Sequence, residues 1–183
     1  MKNLITTSNF INMLLFQSLW LAAVIGSAKG YLWPCILLLL VLVSWQLSPK
    51  RRKDSDLRLF LVAIMMGFIV DTIWVQFGVM KFTNPMPLSQ FAPIWILALW
   101  GGLALTVNHS MAWLKKHPLL PATMGIISAP LCYFGGLRLN AVDYLMSFWT
   151  VSLCLSLAWS IALTILVKIS EPTDSKILTS EIS

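Results

Sequence analysis

The sequence predicts an all-α integral membrane bundle of six transmembrane helices, from its composition, its segment lengths and the positions of its basic residues. Hydrophobic residues make up 58% of the 183 residues and charged residues only 11%. A soluble domain with so few charges could not cover that much apolar surface. The composition therefore favours a membrane protein, and one membrane domain accounts for the chain.

The apolar segments have lengths near the roughly 20 residues that a helix needs to cross a bilayer. Short polar stretches separate them, and the clearest of these is the basic cluster at 50–53. We predict helices over 9–28, 31–47, 57–80, 91–114, 119–137 and 142–167. Together they form a transmembrane domain over 1–168, which a polar cytoplasmic tail over 169–183 follows.

The basic residues are divided unevenly between the two sides that six crossings define. One side holds both termini and the connections after the second and fourth helices. Because basic residues next to membrane helices are retained in the cytoplasm, the division predicts that both termini are cytoplasmic. Of the 13 basic residues, ten fall on that side (Lys2, Lys50, Arg51, Arg52, Lys53, Arg58, Lys115, Lys116, Lys168, Lys176) and three on the other (Lys29, Lys81, Arg138).

The first apolar segment has an alternative interpretation as a cleaved secretory signal over 1–28. Lys2 precedes the apolar run, and small residues at 26–28 precede a possible cut. Asn9, Asn12 and Gln17 interrupt the run, which favours a retained helix. Cleavage would leave five helices in the same orientation.

Asp71 is the polar residue that the predicted helices can least easily accommodate. It falls near the middle of helix three, where an ionised carboxylate is costly unless it is paired, hydrated or protonated. Gly67, Trp74 and Gly78 lie on the same helical stripe. We expect Asp71 to face the bundle interior, either as a hydrogen-bonded structural residue or as a proton-coupled or ligand-binding group.

A second polar group, Asn108 and His109, lies on helix four. A histidine can shuttle protons near neutral pH, but a single buried histidine more often serves in packing. The helical rise places His109 about 10 Å closer to the cytoplasm than Asp71, which argues against a direct pair. Gln17, Gln76 and Tyr133 are further candidates for the polar interior.

Three arginines are candidate contacts for anionic lipid headgroups: Arg51, Arg52 and Arg138. Simpler explanations exist for each. The retention of basic residues in the cytoplasm, which orients the chain in the membrane, already accounts for the cluster that contains Arg51 and Arg52. A surface ion pair with Asp143 accounts for Arg138.

The sequence lacks the patterns of several function classes. It contains no basic recognition helix for nucleic acid, no metal-ligand spacing, no phosphate-binding loop and no nucleophile elbow. We therefore predict no catalytic residue, no metal ligand, no cofactor and no nucleic-acid partner. Membrane lipids are the expected partners, and an enzyme is the less favoured class.

Three strings of the sequence together resemble a bacterial polytopic inner-membrane family of unknown function, DUF2878. They run from Asp71 to Phe82, from Pro93 to Trp100 and from Asn108 to Leu114, with Gly125, Pro130, Tyr133 and Gly136 following. The resemblance covers 12–159. It implies a multi-pass protein of the bacterial cytoplasmic membrane and no particular activity. Genes of that family often lie beside genes for fatty-acyl cyclopropane synthases and photolyases, which implies a lipid-associated or stress-associated role.

Three hypotheses follow for the function. The first is an accessory membrane protein that binds lipid or a lipid-modifying partner protein, with Asp71 buried and paired. The second is a small proton-coupled transporter or carrier, in which Asp71, Gln76, Asn108 and His109 line one water-accessible path. The third is a lipid-active enzyme using Asp71 and His109, which their different depths disfavour.

Overall fold

A computed structural model describes residues 7–171 of the chain, and this part is all-α apart from one small sheet. The helices are α1 (Thr7–Ala28), α2 (Trp33–Gln46), α3 (Asp56–Gln76), α4 (Ile94–Val107), α5 (Leu120–Arg138) and α6 (Phe148–Ser170), with a 3-10 helix at Ala112–Lys116. Strands β1 (Met80–Phe82) and β2 (Val142–Tyr144) pair antiparallel. We name the end of the bundle that carries these strands the sheet end.

Four helices, α1, α3, α5 and α6, are long and apolar enough to cross a membrane. The other two, α2 and α4, are more apolar than these four but have 14 residues each. A helix of that length extends about 21 Å, less than the roughly 30 Å of a bilayer core. The structure therefore describes a chain suited to a membrane, with four helices of spanning length.

The short helix α4 lies at the centre of the bundle. It contacts α1, α2, α3 and α6, and buried residues such as Trp100, Ala104 and Leu105 occupy its different faces. An apolar surface on all sides is typical of a helix enclosed by others. Outside this centre, α5 packs chiefly on α6.

The helices α1, α3 and α5 all end at the sheet end with the same backbone motif. Gly30, Gly78 and Asn140 have positive φ angles of 78°, 64° and 60°. After Gly78, the amide of Val79 donates to the carbonyl of Trp74 at 2.9 Å, which satisfies a carbonyl of the last helical turn. Glycine, and less readily asparagine, adopts this left-handed conformation. The motif therefore stops each helix at a defined residue.

Three predicted helix limits at the sheet end are wrong, the smallest error being the start of helix four, predicted at 91 and found at Ile94. Helix three was predicted to reach Met80, but the left-handed Gly78 ends it, so Gly78 is not on the stripe of Asp71. Helix six was predicted to begin at Val142, but 142–144 forms β2. Instead, α6 begins after Ser147, whose Oγ accepts a hydrogen bond from the Thr150 amide at 3.2 Å.

Helix four was predicted to reach Leu114, but α4 ends at Val107. The reason lies in its last carbonyls. The Leu105 carbonyl accepts a hydrogen bond from Asn12 Nδ2 at 3.0 Å, and the Asn108 carbonyl accepts one from Lys53 Nζ at 2.6 Å. In a continued α-helix the His109 amide would donate to the Leu105 carbonyl. With Asn12 bonded there, it donates to Thr106 instead, at 2.9 Å, and the helix turns.

The remaining limits of α1, α2 and α5 lie within two residues of the predicted ones. The predicted tail does not begin at 169, because α6 continues through Ser170. Its remaining part, 172–183, and the basic residues Lys2 and Lys176 lie outside the described residues.

Candidate functional site

Five buried polar residues, from three helices and the turn after α4, meet at the end of the bundle opposite the sheet. We name them the Asp56 network and call this end of the bundle the network end. The five are Asn12, Gln46, Asp56, Asn108 and His109, and the most exposed of them, His109, has 8% of its surface accessible. Buried polar groups require hydrogen-bond partners. The network supplies them by joining the start of α1, the end of α2, the start of α3 and the turn after α4.

Asp56 is the centre of this network and is fully buried. Its Oδ1 accepts a hydrogen bond from Asn108 Nδ2 at 2.7 Å. Its Oδ2 accepts one from the Lys53 amide at 2.8 Å and lies 2.8 Å from His109 Nε2. Such contacts compensate a carboxylate for the loss of water. Asp56 therefore holds the loop after α2 against the end of α4.

A chain of amides leads from His109 to the first helix. Asn12 Nδ2 donates to the Leu105 carbonyl at 3.0 Å and to Gln46 Oε1 at 2.7 Å. Because the Leu105 carbonyl can only accept a hydrogen bond, the NH2 group of Asn12 must face it. The same NH2 group also donates to Gln46, so the oxygen of the Gln46 amide must face Asn12. The NH2 group of Gln46 then faces His109 Nε2 at 3.0 Å.

Two lysines contact Asn108, and one of them also contacts the end of α6. Lys53 Nζ donates to the Asn108 carbonyl at 2.6 Å, and Lys115 Nζ donates to Asn108 Oδ1 at 2.6 Å. Lys115 also donates to the Ser170 carbonyl at 3.3 Å. Burial, and secondarily the charge of Lys53, lowers the pKa of Lys115. The end of α6 is thereby attached to the same network.

A second group, which we name the Asp71 network, joins α3, α4 and α5. Asp71 is fully buried, and its two oxygens accept hydrogen bonds from Tyr133 at 2.5 Å and from Trp100 Nε1 at 2.7 Å. The Trp100 ring stacks on Trp159 of α6, with ring centroids 4.1 Å apart. Gly67 lies directly against the Trp100 ring, where a Cβ would overlap it.

The structure separates the residues proposed to line a transport path. Asp71 has Tyr133 and Trp100 as partners, whereas Asn108 and His109 belong to the Asp56 network. Gln76 is exposed and donates to the Gln90 carbonyl at 2.6 Å. Gln17 is also exposed, on α1.

The three candidate headgroup arginines have different surroundings. The Arg51 guanidinium lies over the Trp45 ring, 3.6 Å from its centroid, and donates to Ser48 Oγ at 3.3 Å. Arg52 and Arg138 are exposed. Asp143, the suggested ion-pair partner of Arg138, instead pairs with Lys81 at 3.4 Å.

Arg51 also borders an open groove at the network end. The groove is shallow and is lined by Leu40, Val41, Ser44, Trp45 and Arg51. Its walls are mainly apolar, and its charged group is the Arg51 guanidinium.

Sequence reasoning missed Asn12, Gln46, Asp56 and Trp100. It treated Asn12 only as an interruption of the apolar run, and Asp56 as a loop residue outside helix three. One available signal was that Asn12, Gln46 and Asp56 all lie near predicted helix ends on one side of the membrane. Within 7–171, the structure contains no group of three or more His, Cys, Asp or Glu that could hold a metal ion.

Comparison with known proteins gives one positive result. Neither the curated proteins nor the solved structures contain a match. A family model described as a protein of unknown function, DUF2878, matches residues 9–165. This range covers most of the chain and includes every member of the Asp56 and Asp71 networks. The chain therefore belongs to the DUF2878 family.

Proposed function

We propose that this chain is an accessory protein of the bacterial cytoplasmic membrane, with six spans and cytoplasmic termini, that binds anionic lipid at its network end. The observation that carries lipid binding is the groove in which Arg51 lies over Trp45. Apolar walls suit an acyl chain, and a guanidinium suits a phosphate. The topology and the lipid site are supported by separate features.

Six spans are supported by the way in which the short helix α4 is enclosed by the other helices. Irregular backbone is tolerated at membrane depth where protein, not lipid, surrounds it. The end of α4 and the turn after it meet this condition, because Asn12 bonds the Leu105 carbonyl and Lys53 bonds the Asn108 carbonyl. The network end also carries the basic cluster at 50–53 together with Lys115 and Lys116, which supports its cytoplasmic placement.

Cysteine labelling tests this topology. In a background without native cysteines, Lys50→Cys and Lys116→Cys should react with a membrane-impermeant maleimide only after the cells are permeabilised. Ser89→Cys, in the connection between α3 and α4, should react in intact cells, because it lies on the opposite side. Labelling of Lys50→Cys and Lys116→Cys on opposite faces would show that the number of crossings is wrong.

The contacts of Arg51 support the lipid site. Its guanidinium has five N–H donors, and the hydrogen bond to Ser48 uses one nitrogen. The remaining donors can bind a phosphate in the bidentate manner that arginine favours. Leu40 and Val41 are 57% and 42% exposed beside it, so an acyl chain can lie along α2 while the headgroup meets Arg51. Anionic lipids of the cytoplasmic leaflet fit this combination.

Replacement of Arg51 by glutamine should weaken binding of phosphatidylglycerol about tenfold, because a charge-assisted hydrogen bond contributes about 1.5–3 kcal/mol. The measurement is the dissociation constant of the purified protein for phosphatidylglycerol, with phosphatidylcholine as the neutral comparison. Arg52→Gln is the matched control, since it removes the same charge from an exposed neighbour. It should change the constant less than twofold. Equal losses in both variants would mean that only net charge matters and would refute the site.

The alternative functions receive less support. A proton-coupled carrier would use Asp71, but this residue is fully buried and both of its oxygens are bonded to neutral donors. Such an arrangement suits a structural acid. A lipid-active enzyme would combine Asp71 with His109, whereas the carboxylate beside His109 is Asp56.

A further inference from the structure

We propose that the outward face of α1 is an interface between two copies of this chain, in which the Gln17 side chains of the two copies bond each other. The proposal requires α1 to span the membrane, and it does not depend on the lipid groove, which lies on α2. Four observations carry it: the face on which Gln17 lies, the lack of a partner for its amide, its depth and the residues around it.

Gln17 lies on the face of α1 that points away from the bundle. The opposite face carries the buried residues of this helix, among them Asn12, Leu19 and Ala23, and packs on α2 and α4. At 3.6 residues per turn, Gln17 lies about 140° around the helix axis from Asn12. It is exposed. Its side chain therefore points to what surrounds the bundle in the membrane.

The amide of Gln17 has no hydrogen-bond partner in the part of the chain that the structure describes. Water would bond an exposed amide in a soluble protein, but the core of a bilayer holds no water. An amide left unbonded there costs free energy. In membrane proteins, glutamine side chains at such positions bond across to a neighbouring helix. Gln17 therefore requires a polar partner outside this copy of the chain.

The depth of Gln17 restricts what that partner can be. Gln17 is ten positions after Thr7 and eleven before Ala28, so the helical rise places it about 15 Å from either end of α1. Its side chain is too short to reach the headgroups, as long side chains near helix ends do. The partner must offer a polar group at the same depth. A second copy in the same membrane orientation does so by symmetry.

The carboxamide of Gln17 is complementary to its own equivalent. It combines an acceptor oxygen with a donor NH2 group. Two of them, related by a two-fold axis along the membrane normal, can therefore form a pair of hydrogen bonds. In such an interface, each residue near the axis meets the same residue of the other copy.

The residues around Gln17 suit a seam between two helices. Phe10, Leu14 and Leu21 share its stripe at spacings of four, three and four, and all three are exposed. This is the spacing of a coiled-coil seam, in which a single polar residue fixes the register and the number of chains. Ser18, beside Gln17, is small and exposed, which lets two helices approach closely.

Disulfide cross-linking in membranes tests the position of the interface. In a background without native cysteines, Leu14→Cys and Leu21→Cys, one turn on either side of Gln17, should each form disulfide-linked dimers under mild oxidation. Leu61→Cys, on the exposed face of α3, is the matched control and should remain monomeric. Equal cross-linking at all three positions, or none at Leu14→Cys and Leu21→Cys, would refute the interface.

Substitution of Gln17 tests the amide pair. Gln17→Leu should raise the dissociation constant of the dimer about tenfold, because two interhelical hydrogen bonds are lost. Gln17→Asn keeps an amide and should retain most of the dimer. Gln90→Leu removes an exposed glutamine from the loop before α4 and should leave the constant unchanged.

The readout is energy transfer between copies that carry donor or acceptor dyes at Ser89→Cys. The purified protein is placed in vesicles of phosphatidylcholine and phosphatidylglycerol, and the protein-to-lipid ratio is varied. Because Gln17 has no partner within 7–171, Gln17→Leu should keep the unfolding free energy of the wild type, so a loss of transfer reports association alone.

Two results of this measurement would overturn the proposal. The first is a protein that stays monomeric at every ratio, even if α1 then binds another membrane protein, because the partner would not be a second copy. The second is a dimer that is as tight in Gln17→Leu as in the wild type, because it would form through another face.

Discussion

Replacement of Gly125 by alanine is expected to destabilise the folded protein by about 3 kcal/mol, the upper part of the range for overpacked cores. A Cβ at Gly125 would overlap the backbone carbonyl of Trp159 and lie 2.7 Å from the amide nitrogen of Ser160. Backbone atoms cannot rotate away as a side chain can. The only relief is to separate α5 from α6, which are the most extensively packed pair of helices.

The measurement is the free energy of unfolding in detergent micelles with increasing denaturant. Gly136→Ala provides the control on the same helix, because a Cβ there would meet only the Val142 side chain, at an ordinary 3.4 Å. Its cost should stay below about 1 kcal/mol, the helix propensity of alanine being favourable. Equal stability of the two variants would show that α5 and α6 are not in close backbone contact at Gly125.

The Asp71→Ala variant should lose about 3 kcal/mol of stability. Removing the carboxylate leaves the Tyr133 hydroxyl and Trp100 Nε1 without their acceptor, and each unsatisfied buried donor costs about 1–3 kcal/mol. The substitution also removes the free-energy cost of burying the carboxylate, which offsets part of this loss. The comparison is Asp143→Ala, which removes a carboxylate that is 53% exposed and paired with Lys81. An exposed pair of this kind contributes at most about 1 kcal/mol.

A double variant separates lost hydrogen bonds from general disruption at Asp71. Tyr133→Phe removes one of the two donors, so Asp71→Ala should cost less in that background than in the wild type. The readout is the same unfolding free energy. Strict additivity of the two changes, or an Asp71→Ala variant as stable as Asp143→Ala, would contradict the role assigned to the Asp71 network.

The networks differ in how far their members could be found from the sequence. Asp71 could be predicted as an interior residue, because a carboxylate inside a long apolar segment has no other low-energy position. Its partners could not, because Trp100 and Tyr133 lie on helices whose relative rotation depends on packing. Asp56 was missed for the opposite reason. It borders a basic loop, where an acid is normally solvated, and only the approach of His109 and Asn108 buries it.

What the sequence determined by itself is the number of apolar helices and the sorting of basic residues between their connections. Both follow from transfer free energies that each segment carries alone, and the limits of α1, α2 and α5 lie close to the ends of their apolar segments. Only the tertiary structure decided where α4 stops and which polar groups meet. Those outcomes depend on single hydrogen bonds between distant residues, such as that from Asn12 to the Leu105 carbonyl, and no local pattern specifies a partner so far along the chain.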